Sequence, residues 1–200
     1  MSRIEFEPWE PEESVGKLWH AFASRLDGDP IHDGARVPLS QVGGRLAVLF
    51  RGLGGDPAVE IKPVADTTSH HRLSLLRRLG TWREAAPRAS FDGATLRLPE
   101  SLAAFPDPRA NAALYLWLAT AAVALRDMTP PYHADPLQAD LAALETAKAM
   151  TAEALRLAPG YTKLHADLCE ATLLFRRTSG LPPVEAAVEA RVRAALGADV

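Results

Sequence analysis

Six histidines, one cysteine and a cluster of arginines are the residues of this 200-residue chain whose types suit chemistry. The histidines are His20, His32, His70, His71, His133 and His165. No HExxH occurs, and no two histidines stand four apart, as a helix-borne metal pair would. His70 and His71 are adjacent, so their side chains diverge on a helix or a strand. His133 and His165 have acids nearby (Asp135, Asp167), which this composition supplies by chance. All six read as surface or helix-end residues rather than a metal centre. Cys169 stands alone, so neither an internal disulfide nor a cysteine-rich zinc site is possible. Its apolar neighbours in a helical stretch make it a buried, inert thiol rather than a nucleophile. No GxSxG elbow is present. Gly52-Leu53-Gly54-Gly55 follows a helical pattern and lacks the Lys-Ser/Thr of a phosphate loop, so it reads as a helix C-cap.

The strongest charge feature is Arg72, Arg77, Arg78, Arg83 and Arg88 with His70, His71 and Trp82, opposed only by Glu84. Such a cluster fits an acidic protein surface or nucleic acid; the alternative is a solvated face with Trp82 partly buried. Trp9 lies in the acidic, aromatic stretch EFEPWEPEE, which either tucks against the fold or offers a docking strip. The candidate partner-contacting residues are therefore Arg72, Arg77, Arg78, Trp82, Arg83 and Trp9. No catalytic, cofactor-binding or metal-binding residue is assigned. The net charge of −3 argues against a dedicated nucleic-acid binder. Hydrophobic content of 48% and charged content of 24% are those of an ordinary globular chain. The acidic N-terminus has no apolar run of a signal peptide, and a single cysteine suits a reducing compartment; the expected location is the cytoplasm.

The elements that must position these residues are mostly helical. The central one runs from Phe105 to Asp127, FPDPRANAALYLWLATAAVALRD. Asp107-Pro108 starts it: the carboxylate accepts from first-turn amides, and proline at the first position loses no hydrogen bond. From Ala112 to Leu125 there is no charge. A helix apolar on all sides is buried on all sides, and this one is shorter than the roughly 20 apolar residues that span a bilayer. Before it, periodic apolar residues predict helices over 12–26 and 38–53, the second carrying Gly43-Gly44 as a close approach or a kink. Val59, Ile61 and Val64 predict a short strand that Pro63 confines to an edge or bulge. Residues 69–84 fit helix and strand alike. Arg88 to Leu98 predicts a hairpin with Asp92-Gly93 as its two-residue turn, closed by Pro99. After the central helix, Asp135-Pro136 starts a helix to Leu157 with Leu137, Leu141, Leu144, Thr151 and Leu155 on one face. Two more follow, about 161–177 and 184–196. AEALRLAPGY resembles the end of a tetratricopeptide repeat, but one copy cannot build a repeat core, so two adjacent helices joined at Pro159-Gly160 are expected. The expected fold is mostly α (α+β), a helical domain with a small antiparallel sheet, about 57–99, inserted before a buried central helix. Its expected division is 1–128 with 129–200 as a helical extension packed on it.

Four stretches together resemble the N-terminal region of the NorD family, the nitric oxide reductase activation proteins. They are EPWEPEESVGKLWH (7–20), RLAVLFRGLGGDPAVEI (45–61), HRLSLLRRLG (71–80) and DGATLRLPESLAAFPDPRANAALYLWLA (92–119). The last is the most specific, since LRLP, FPD, Asn111 and LYLWLA follow one another at family-like spacing. NorD in turn resembles CbbO, the rubisco-activation protein, and both families pair with a MoxR-type AAA+ ATPase. The resemblance implies a non-enzymatic adaptor, without a cofactor, that brings a hexameric NorQ-like ATPase to its client. That client would be nitric oxide reductase of denitrification, whose iron centre the pair assembles or activates. Direct binding of the client as a metal or haem chaperone, and a helical scaffold, are the alternatives; a hydrolase fits least. Family members end in a von Willebrand factor A domain with a DxSxS metal site. No DxSxS occurs here, so an N-terminal piece is expected, and no metal role is placed on any residue.

Overall fold

The computed structural model describes residues 32–64, 89–128, 133–176 and 179–199. The described chain is mostly helical. In order it forms β1 (Val37–Pro38), α1 (Leu39–Gly52), β2 (Glu60–Val64), β3 (Ser90–Phe91), β4 (Thr95–Pro99) and β5 (Ser101–Leu102). Four helices follow: α2 (Pro108–Leu125), α3 (Pro136–Leu157), α4 (Thr162–Leu173) and α5 (Pro183–Ala195). The predicted helix at 12–26 lies outside the described residues, as does 69–84.

α2 is the element around which the rest packs. Every residue from Trp117 to Leu125 is buried, as its uniform apolarity requires. Asp107 caps it, its carboxylate accepting from the Arg109 amide at 2.8 Å. Asp135 caps α3 in the same way through the Gln138 amide at 2.9 Å. One continuous core joins Leu46 and Phe50 of α1, Leu96 and Leu98 of β4, and Tyr115 and Leu118 of α2 to Met150 and Ala154 of α3 and Leu168 of α4. The extension at 129–200 thus shares its core with the first part of the chain. The stripe of α3 differs from the expected leucines. Leu144, Ala147, Met150 and Ala154 are buried, whereas Leu137 is exposed. Small side chains at 147 and 154 sit where neighbouring helices approach, which a count of leucines misses.

The sheet order is β2-β4-β3, with β1 and β5 as a separate antiparallel pair. β3 and β4 form the predicted antiparallel hairpin, while β2 runs parallel to β4, Glu60 opposite Thr95 through Val64 opposite Pro99. A parallel pair needs a crossover connection, and the chain between Val64 and Ser90 is long enough to provide it. β2 is an edge strand, as Pro63 demands. The hairpin turn is displaced by one residue from expectation: Gly93, with φ +87°, and Ala94 are its centre. The Asp92 amide donates to the Thr95 carbonyl at 3.3 Å, and the Asp92 carboxylate accepts from the Ala94 and Thr95 amides at 2.9 and 2.6 Å.

α1 ends as predicted in a glycine cap. Gly54 has φ +91°, its amide donating to Arg51 and that of Gly55 to Phe50, the paired bonds of a Schellman motif. Gly55 lies so close over the Phe50 ring that a Cβ there would stand 2.2 Å from a ring carbon. Gly43 and Gly44 lie within a continuous α1, and no described atom stands within 4 Å of a Cβ built at either, so the close approach is not formed by the described residues. α3 and α4 are adjacent helices joined through Pro159–Tyr161. Among the described residues, no helix is long and apolar enough to cross a membrane.

Candidate functional site

The residues predicted to contact a partner, Trp9, Arg72, Arg77, Arg78, Trp82 and Arg83, all lie outside the described residues. So do His20, His70 and His71. Among the described residues, no group of three or more His, Cys, Asp or Glu side chains is placed to hold a metal ion.

Among the described residues, two concave surfaces stand out. The first is a cleft of about 360 Å³ where the end of α1, the β3–β4 turn and the end of α2 meet. Phe50 and Phe91 form its apolar wall, their rings edge to face with centroids 5.9 Å apart, together with Val59 and Val123. Asp56, Asp92, Arg126 and Asp127 line its rim. These charges are committed to the fold. Arg126 donates to the Gly54 carbonyl and to Asp127, joining the two helix ends. Asp92 pairs with Arg97 at 2.7 Å. Burial would raise the Asp92 carboxyl, but the Thr95 and Ala94 amides and the Arg97 guanidinium outweigh it and hold the group below the usual carboxylate range. Asp56 accepts from the Ala58 amide at 2.8 Å. The second surface is an open groove of about 720 Å³ between Gly43, Gly44 and Ala47 of α1 and the edge of β2 that no described strand pairs. In parallel pairing Ile61 and Pro63 face away from β4, and Pro63 has no amide to donate, so this edge is blunted.

Spacing along α4 identifies a further pair that counting histidine pairs misses. In HADLC, His165 and Cys169 stand four apart. The Cys169 sulfur lies 3.5 Å from His165 Nε2, and the His165 ring packs tilted against Trp117 of α2, 4.3 Å between centroids at an interplanar angle of 43°. Burial pushes the thiol up to about 11 and the imidazole below its usual value. At neutral pH both groups are therefore uncharged. The pair is a neutral contact within α4, not an imidazolium–thiolate nucleophile, in agreement with the inert thiol expected from the sequence.

The residues that resembled a family signature have structural tasks. Asn111, fully buried, donates to the Ala35 and Phe105 carbonyls and accepts from the Phe105 amide, all at 2.9 Å. It ties the 3-10 turn at Asp33–Ala35 to the FPD loop and the start of α2. Tyr115 donates to the Pro99 carbonyl at 2.7 Å; burial and the charge of Glu100 raise its hydroxyl far above the ordinary value, so it stays a neutral donor. Arg176 and Glu189 form a bidentate pair at 2.6 Å with side chains only 1% and 6% exposed. Nothing in the local sequence marks that pair, which spans the connection between α4 and α5.

Comparison with known proteins accords with the family resemblance. The chain is 38% identical over 193 residues to "Protein NorD" of Brucella suis, covering 96% of this chain and 30% of that protein. It is 33% identical over 187 residues to "Protein NorD" of Stutzerimonas stutzeri, with 94% and 29% covered. An uncharacterised protein of Pseudomonas aeruginosa is 41% identical over 110 residues, or 55% of this chain and 18% of that protein. The chain thus spans less than a third of the length of the curated NorD proteins it matches. No family model matches it, and no solved structure matches it significantly. Over nearly its whole length the chain is NorD-like in sequence.

Proposed function

We propose that this NorD-like chain is a non-enzymatic adaptor domain of the nitric oxide reductase system. It docks a hexameric MoxR-type AAA+ ATPase and helps that motor assemble or activate the iron centre of the reductase. The observation that supports this reading is the similarity to proteins named NorD along 96% of the chain. The described side chains are consistent with a scaffold. Asn111, Tyr115, Asp92, Arg126 and the Arg176–Glu189 pair each hold backbone or one another. The docking surface in this proposal is the arginine-rich stretch with Arg72, Arg77, Arg78 and Arg83, beside Trp82, and Trp9 as a second contact. An acidic ATPase surface is its complement.

Light scattering on size exclusion, with the chain, its cognate ATPase and ATP, tests the docking. A co-eluting complex at tens of micromolar is expected; separate elution would remove docking from this part of the protein. Arg77→Glu with Arg78→Glu should weaken the complex and flatten its salt dependence. Unchanged affinity would shift the contact away from that stretch.

A further inference from the structure

The described core is not one cluster but two. The larger is built on α2 and draws on α1, the strands, α3 and α4. The smaller consists of Leu144 of α3, Cys169 of α4, and Val188, Val192 and Leu196 at the end of the chain. α5 contributes no residue to the larger cluster. Its buried apolar positions stand four apart, a single narrow stripe, and the rest of the helix is largely exposed, Val184 at 62%. Its buried polar tether is the Arg176–Glu189 pair. It is reached through Gly180, in the left-handed region at φ +78°, and Pro182.

We infer that α5 is a detachable latch: it undocks as a unit while the α2-centred core stays folded. The satellite groove of α3 and α4, with Leu144 and Cys169, is exposed when it does. Cooperative units open separately where few buried contacts join them, and a satellite cluster is such a seam. The Arg176–Glu189 pair bridges this seam from the connection after α4 to α5, so undocking α5 separates a buried, bidentate ion pair.

Cys169 is the chain's sole cysteine and lies under this helix, which makes it a built-in reporter. The experiment is thiol labelling of the 200-residue chain with a disulfide reagent at low urea concentrations, alongside far-UV circular dichroism and hydrogen exchange. The expected result is labelling whose rate is nearly independent of urea below the unfolding transition, and α5 amides that exchange well ahead of those in α2. Glu189→Gln should speed labelling at least roughly tenfold with most helical signal retained. Val192→Ala, which keeps the ion pair, should speed it about threefold to tenfold and guards against a failure of the first variant to fold. Labelling that rises with urea in step with the loss of helical signal, or α5 amides exchanging together with those of α2, would overturn the latch.

Discussion

α2 and α5 are both helices that begin at a proline, yet they stand in opposite relations to the rest of the molecule. α2 is surrounded: nine consecutive residues are buried, and its polar side chains Asn111, Tyr115 and Thr120 all find carbonyl partners. α5 touches its neighbours along one stripe and carries a buried acid. Uniform apolarity makes a helix a scaffold, because no face is left to choose. A narrow stripe with a charge at its edge makes a helix conditional, because its docking depends on a few side chains meeting correctly.

The largest effects should follow from damage to what surrounds α2. Leu46 is fully buried on α1, and Leu46→Ala should cost about 3–5 kcal/mol, lowering the urea midpoint by every probe at once. A variant in which α5 exchange alone changed would break the contrast between the two regions. Asn111→Ala should cost about 2–4 kcal/mol, since the Ala35 and Phe105 backbone groups would be left buried without partners. Urea denaturation read by far-UV circular dichroism checks both.

How much of this was legible in the sequence depends on whether the cause was local. Asp107-Pro108 and Asp135-Pro136 announce the starts of α2 and α3 because capping is settled within one turn. The glycine cap of α1 and the edge position of Pro63 are local in the same sense. The hairpin was legible, but its turn is shifted by one residue, with the Asp92 carboxylate accepting from the Ala94 and Thr95 amides just beyond Gly93. The parallel direction of β2 against β4 was not legible, because alternation within a strand is the same for either direction. Nor was the Arg176–Glu189 pair, because it joins the connection after α4, which ends at Leu173, short of the expected 177, to a residue thirteen positions on. The proposed contact residues from Arg72 to Arg83 lie outside the described residues, so the site remains a reading of sequence while the scaffold is a reading of structure.

The two Asp-Pro caps offer a finer comparison. Asp107→Ala and Asp135→Ala remove the same kind of hydrogen bond, each worth about 1 kcal/mol. Their consequences should differ. Asp107 starts a helix locked by its surroundings, so its loss should lower the urea midpoint while leaving local exchange in α2 coupled to global unfolding. Both helices open on exposed residues, but the start of α2 is also fixed by the buried Asn111, whereas Leu137 and Gln138 after Asp135 are exposed, so the loss of Asp135 should appear first as faster amide exchange in the opening turn of α3. Identical exchange patterns in the two variants would remove the distinction between a surrounded helix and a half-exposed one.

The smallest expected effect is a pH dependence at the seam where the two regions meet. His165 packs against Trp117 of the larger core and contacts Cys169 of the smaller. Burial lowers its imidazole below the ordinary 6.5, so the unfolded chain takes up a proton more readily than the folded one. Stability from this residue is therefore complete above about pH 6.5 and is lost as pH falls from there through the depressed folded value. Thermal melts at pH 7.5 and 5.5 should show a lower midpoint in acid, and His165→Gln should reduce that difference. The place of the loss carries the argument. If α5 is conditional and α2 is not, acid should lower the hydrogen-exchange protection of the α5 amides before it lowers that of α2. If α2 responds first, protonation acts on the Trp117 contact, and the larger core is the more sensitive of the two.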